Sequence, residues 1–266
     1  MPTKAYKNIE FLNSPDARII RIIAEFLEPQ SRFRKLNIKD TIVFFGSARS
    51  LERKVALKAY NEIKKLDPKK VKNFPERLRK AQIALEMSKY YEDAIQLSKL
   101  LTEWSLSLPS EGRRFVICTG GGPGIMEAAN RGAKLAKGKT IGLNISIPNE
   151  QFVNKYVDEE LSFEFHYFFM RKFWLVYLAK ALVIFPGGYG TLDELMEVLT
   201  LVQTGKLTKK IAVVIYGSAY WKKVLNFQAM IENGCIDKKD MEIFKYCDTP
   251  QEAFEYLRGF LTKNYL

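Results

Sequence analysis

The sequence is poor in the side chains on which most covalent and metal chemistry depends. Its 266 residues include one histidine, His166, and three cysteines, Cys118, Cys235 and Cys247. A serine or cysteine triad would need His166 as its base, and no nucleophile elbow lies near it, so this residue reads as structural. The cysteines lack the paired spacing of zinc or redox motifs, which points to free thiols in a reducing, cytoplasmic compartment and to no disulfide framework. No apolar run reaches the length of a membrane span: residues 173–185, the most apolar stretch, are broken by Lys180. The first thirteen residues lack the apolar block of a secretory signal. There is no Gly-Lys-Ser/Thr of a triphosphate loop and no lysine in a setting suited to pyridoxal phosphate. No cofactor and no metal site is expected.

Acid is scarce relative to base, with 42 Lys and Arg against 30 Asp and Glu and a net charge of +12. Such an excess suits nucleic acid, a membrane surface or a small anionic substrate. The cations are densest between Arg49 and Lys89, outside every glycine-rich motif. That stretch reads as a solvated helical surface, so charge alone names no partner, and neither a membrane nor nucleic acid is the expected one.

What is present is an alternation of apolar strands and amphipathic helices. Ser14 and Pro15 open a helix over 14–36, an N-terminal extension within residues 1–40. Residues 41–266 read as one Rossmann-like domain of doubly wound α/β class, with a basic helical insertion at about 51–87. Strands are expected at 41–45, 114–118, 140–145, 181–185 and 211–216. Helices are expected at 123–137, 167–180 and 192–204, a long loop before Ser162, and helices at the C-terminal end.

Three constellations carry chemistry. Thr119-Gly-Gly-Gly-Pro-Gly-Ile-Met-Glu127 joins a strand to a helix, where glycines and free N–H groups favour an anion; Gly120, Gly121, Gly122 and Gly124 are the candidates. Ile125 stands where a dinucleotide fingerprint needs its third glycine. Glu127 either stabilises the helix dipole or binds ribose hydroxyls. Pro186-Gly-Gly-Tyr-Gly-Thr-Leu-Asp-Glu194 repeats the strand-to-helix context, and Glu194 is either a catalytic carboxylate or the N3 member of a capping box on Thr191. Phe165 to Lys172 ends in Arg171-Lys172, either surface cations or a phosphate grip, behind aromatics that serve packing or a nucleobase. Ser47 sits in the turn after the first strand.

The ordered set of Gly-Gly-Gly-Pro-Gly-Ile-Met-Glu, Arg-Lys and Pro-Gly-Gly-Tyr-Gly-Thr-Leu-Asp-Glu resembles the Lonely Guy phosphoribohydrolases, a family often labelled lysine decarboxylase, over roughly residues 41–235. Phe-Phe-Met-Arg-Lys, the N-terminal helix and the insertion are similar to its larger bacterial branch. The resemblance implies a homodimer that hydrolyses the N-glycosidic bond of nucleoside 5'-monophosphates, adenosine monophosphate or cytokinin riboside monophosphate, to free base and ribose 5-phosphate. It implies Arg171 and Glu194 as catalytic residues, with substrate contacts from Lys172, Gly187, Gly188, Tyr189, Gly190, Thr191, Thr200 and Glu150. The alternatives are a nucleotide-binding sensor without turnover, or an RNA-binding protein using the insertion.

Overall fold

The computed structural model describes residues 2–147 and 152–266. Seven strands form one parallel sheet: β1 Thr41–Phe45, β2 Val116–Thr119, β3 Thr140–Ile145, β4 Ser162–Phe165, β5 Ala179–Ile184, β6 Ala212–Tyr216 and β7 Phe244–Cys247. Their order is β4-β3-β2-β1-β5-β6-β7. Every residue of β1, β2, β3 and β6 is buried. Continuous apolar runs such as Thr41-Ile-Val-Phe-Phe are what a parallel strand covered on both faces requires.

Among the described residues ten α-helices flank the sheet, in chain order α1 Ile9–Asn13, α2 Arg18–Lys35, α3 Arg53–Lys64, α4 Phe74–Ser107, α5 Ile125–Leu135, α6 Phe168–Tyr177, α7 Tyr189–Gln203, α8 Ser218–Val224, α9 Phe227–Glu232 and α10 Pro250–Tyr265. One face of the sheet packs Ile42 and Phe44 against Leu97 of α4, Ile125 of α5 and Leu257 of α10. The other packs Val43 and Leu182 against Phe33 of α2, Trp174 of α6, Leu195 of α7 and Trp221 of α8. The chain therefore crosses over on one face from β1 to β3, returns past β1, and crosses over on the other face from β4 to β6. The reversal falls between β1 and β5, and ligands of such folds bind beyond the carboxyl ends of the strands at that point.

Several expectations shift. β4 follows the loop expected before Ser162, in residues for which no element was expected, and the C-terminal helices are interrupted by β7. Both strands have four residues, lie at the sheet edges and mix buried with exposed positions, so neither shows the long apolar run of a central strand. The helix expected over 167–180 stops at Tyr177, and Lys180 lies within β5. The helix expected at 192–204 begins at Tyr189, which moves the glycines of its loop to the helix start.

The N-terminal helix α2 is part of the core. Its Glu25 carboxylate accepts the backbone N–H groups of His166 and Tyr167 at 2.8 and 3.3 Å, and its Glu25 carbonyl accepts from the Trp174 indole at 3.0 Å. A carboxylate at the start of α6 complements that helix's dipole. Thus α2 helps fix the helix that carries Arg171. Among the described residues, no helix is long and apolar enough to cross a membrane, and no group of three or more His, Cys, Asp and Glu side chains is placed to hold a metal ion.

Candidate active site

Three strand-to-helix loops meet at the reversal point. The Ser47 N–H donates to the Pro186 carbonyl at 2.9 Å, and the Ile125 N–H donates to the Ser47 carbonyl at 3.1 Å. The loop after β1 is thereby clamped between the two glycine loops. Gly124 has φ +69, and a side chain there would run into the Ser47 carbonyl and the Ala48 backbone, so the contact demands glycine.

A cleft of about 670 Å³ opens beside this junction. Of the residues expected from the sequence, Ser47, Gly120, Arg171, Gly187, Gly188, Tyr189, Gly190, Thr191 and Glu194 line it. The first hydrogen bond of α7 runs from the Leu192 N–H to the Gly188 carbonyl, 3.0 Å. The N–H groups of Tyr189, Gly190 and Thr191 thus stand outside the helical ladder at the positive end of a 15-residue helix, a setting that favours an anion. Tyr220 of α8, which also lines the cleft, donates its hydroxyl to the Gly187 carbonyl at 2.8 Å and holds this loop.

Glu194 is the one carboxylate among the described lining residues, and it is 2% exposed. Since α7 begins at Tyr189 with Gly188 as its cap, Glu194 lies well inside the helix and not at its third position. The capping-box reading on Thr191 therefore fails; the side chain points into the cleft wall instead. Its Oε1 lies 3.7 Å from the Arg171 guanidinium, and its Oε2 is buried with no hydrogen-bond partner among the described residues. Burial pushes the carboxyl up to about 7 from 4.5, against the opposing pull of Lys172 and Arg171. The Arg171 guanidinium also lies over the Phe168 ring, 5.2 Å from its centroid. Phe168, Met126, Ile145 and Ile147 give the cleft an apolar lining.

Other expected residues serve the scaffold. Gly121 donates its N–H to Thr119 Oγ1 at 2.9 Å, while its carbonyl and that of Gly122 each accept from Asn154 Nδ2 at 3.0 Å. Those glycines are spent on a buried network: Thr119 donates to Asn130 Oδ1 at 2.8 Å, Asn154 to the same oxygen at 2.9 Å, and Asn130 to Thr140 Oγ1 at 2.6 Å. Glu127 lies outside the cleft lining, near Tyr91, whose hydroxyl burial and the Glu127 charge together push up to about 12. Lys172 is held by Asp193 at 2.8 Å and Glu197 at 2.9 Å on α7. Burial works against its ammonium, yet those two carboxylates keep its pKa above the ordinary value. Thr200 donates to the Met196 carbonyl at 2.7 Å and faces a separate shallow depression on the outer side of α7. Glu150 lies outside the described residues.

Sequence reasoning passed over Arg49. It follows Gly46-Ser47-Ala48 directly, lines the cleft, and makes no ion pair among the described residues; its N–H donates to Ser47 Oγ at 3.1 Å, which fixes the turn. The signal was available, because a cation in the first turn after a central parallel strand stands at the ligand end of the sheet.

A glycine-walled cleft at the reversal point of a seven-stranded parallel sheet, holding one buried carboxylate and two guanidinium groups, defines a Rossmann-like α/β protein with a site suited to a small anion. A family model described as "Possible lysine decarboxylase" matches residues 126–257. The chain is 32% identical over 91 residues to the probable cytokinin riboside 5'-monophosphate phosphoribohydrolase LOGL2 of Oryza sativa subsp. japonica, covering 34% of this chain and 37% of that protein. It is 32% identical over 83 residues to LOG3 of Arabidopsis thaliana, a cytokinin riboside 5'-monophosphate phosphoribohydrolase, covering 31% and 38%. LOG2 of the same plant, bearing the same description, matches at 22% over 176 residues, 66% and 78% of the two chains. The stretches matched at about 30% identity thus span well under half of those relatives. Among solved structures, TM1055, a structural genomics target, superposes with TM-score 0.51 and 19% identity over 83% of this chain and 99% of its own. The molybdenum cofactor carrier protein of Chlamydomonas reinhardtii does so with TM-score 0.50 and 17% identity over 84% and 99%. In sequence the chain is similar to the curated LOG phosphoribohydrolases and to a family model that spans just under half of it, and its fold is the Rossmann-like one those structures share.

Proposed function

We propose that this protein hydrolyses the N-glycosidic bond of a nucleoside 5'-monophosphate, releasing the free base and ribose 5-phosphate. The observation that carries the proposal is Glu194: a carboxylate 2% exposed, with one oxygen unpartnered among the described residues, on the wall of a cleft that also offers an anion site. An unsatisfied buried carboxylate costs stability and finds its use when a cation comes to it. Breaking the bond between ribose and base builds positive charge on the sugar. A carboxylate already fixed beside the anomeric carbon stabilises that charge without reorganising, and the same oxygen can orient or deprotonate the attacking water.

The phosphate belongs at the start of α7, on the N–H groups of Tyr189, Gly190 and Thr191, with Arg49 as a two-pronged partner. Arg171 lies between the carboxylate and the Phe168 ring, where it steadies the departing base by hydrogen bonding; a guanidinium stays protonated and is not the proton donor. The apolar wall of Met126, Ile145, Ile147 and Phe168 accepts the base. Adenosine monophosphate is the substrate we expect first, in line with the activity named for the plant relatives, whose cytokinin riboside monophosphates share its adenine core. The homodimer expected from the family would use the outer face of α7, where Tyr189 is 93% exposed beside Leu192 and Met196; light scattering on the pure protein tests it.

A carrier or sensor sharing the fold would need the anion cradle alone. The buried carboxylate, with one oxygen unpartnered among the described residues, favours turnover. Incubating the protein with adenosine, adenosine mono-, di- and triphosphate and the other nucleoside monophosphates, with free base resolved by chromatography, tests the proposal. Release confined to monophosphates is expected; binding without base release from any of them overturns it.

A further inference from the structure

The chain's positive charge is concentrated in one exposed element that the proposed chemistry does not use. Residues 53–80, comprising α3, the turn at 65–73 and the first turns of α4, contain eleven Lys and Arg against three carboxylates, a net +8 in 28 residues. The other 238 residues together carry only +4 of the chain's +12. All eleven cations are exposed. The three carboxylates are each engaged by one lysine: Glu62 by Lys58 at 3.9 Å, Asp67 by Lys70 at 4.0 Å and Glu76 by Lys80 at 2.6 Å. Eight cations of the hairpin thus have no ion pair among the described residues.

The hairpin is a built element. Ala56 is buried and Ala59, Tyr60 and Ile63 are half-buried where α3 lies along α4, and the first N–H of α3, that of Arg53, donates to Glu92 of α4 at 2.9 Å. With that face occupied, Lys54, Lys58 and Lys65 recur at helical spacing on the solvent side and run on into Lys69 and Lys72 of the turn. A membrane-surface helix would present an apolar strip flanked by cations, whereas here the apolar strip faces α4 and only single residues such as Val55 and Leu57 break the charge outside. A protein partner would find no apolar centre to bury. A row of mobile point charges without such a centre matches a polyphosphate backbone.

We propose that the α3–α4 hairpin binds the phosphate backbone of nucleic acid, through contacts with phosphates and not with bases. This function is separate from the cleft and does not rest on the phosphoribohydrolase reading.

The test is fluorescence anisotropy of the full chain with a labelled oligouridylate and a labelled DNA duplex, each about 20 nucleotides long, over a salt series. Binding of either probe is expected at low salt. Engagement of about four phosphates of the single strand gives a log–log slope near −2.8, roughly a 50-fold loss of affinity between about 50 and 200 mM salt. The triple variant Lys65→Glu, Lys69→Glu, Lys72→Glu should lose at least about tenfold in affinity. The same variant should retain whatever base release the native protein shows, since none of the three residues touches the cleft. No binding at the lowest salt, an undiminished affinity in the triple variant, or capture by phosphatidylserine vesicles in preference to both oligonucleotides would overturn the proposal.

Discussion

Replacing Glu194 by glutamine keeps the shape of the side chain and removes its proton equilibrium. The carboxyl is buried, and that burial drives its pKa from 4.5 to about 7 in the folded protein while Lys172 and Arg171 pull the other way. A gap of that size is worth roughly 3 kcal/mol between the acid and the carboxylate. Because the folded pKa is the higher one, folding favours the protonated form. The corresponding stability is fully present below pH 4.5, is lost as the pH climbs to about 7, and changes no further above that. Urea unfolding of both proteins at a series of pH values isolates the effect, since every other titrating group is common to the two. The glutamine variant should gain on the native protein by roughly 2 to 4 kcal/mol between the acid end of that window and the alkaline end. Parallel stability curves would refute the reasoning, because they would mean that the carboxylate is solvated or fully paired in the folded state.

Three further outcomes are expected. Arg49→Ala should raise KM for a nucleoside monophosphate by roughly 10- to 100-fold through the loss of a charge-assisted hydrogen bond, with kcat little changed and no loss with the unphosphorylated nucleoside; steady-state kinetics on both substrates checks this. Asn130→Leu removes the centre of the buried network that joins Thr119, Thr140 and Asn154, and should cost about 3 kcal/mol or more by urea unfolding, because each partner is left unsatisfied. Gly124→Ala forces a side chain onto the Ser47 carbonyl at φ +69 and should lower stability by about 1 to 3 kcal/mol from backbone strain alone, measured as a drop in Tm.

The parts of the fold that were legible in the sequence are those whose burial is two-sided. β1 and β6 announce themselves as apolar runs, and the two glycine loops stand where buried strands give way to helices. β4 and β7 escaped notice because an edge strand with exposed Glu164 or Lys245 reads like a loop. The site was half legible for a related reason. Glu194 and Arg171 could be singled out by their motifs, yet whether Glu194 turned back to cap its helix depended on where α7 begins. The sequence placed that start three residues too late. Lys172 sits next to Arg171 in the chain but faces Asp193 and Glu197, since adjacent residues on a helix point about 100° apart. Gly121 and Gly122 look like anion ligands until Thr119 is seen to hold the Gly121 N–H and Asn154 the two carbonyls, and Asn154 lies outside the glycine motif. Arg49 joins the cleft only because β1 and β5 are neighbours, a fact of strand order that no local pattern carries.

The central claim is that the Glu194 carboxylate, standing in the cleft wall before substrate arrives, is what lets the bond between ribose and base break. Single-turnover release of adenine and ribose 5-phosphate from adenosine monophosphate, compared between the native protein and Glu194→Gln with binding measured in parallel, tests it most directly. The native protein should release both products in equal amounts, and the variant should bind the nucleotide yet release them at least about 100-fold more slowly. Undiminished release by the variant would contradict the claim.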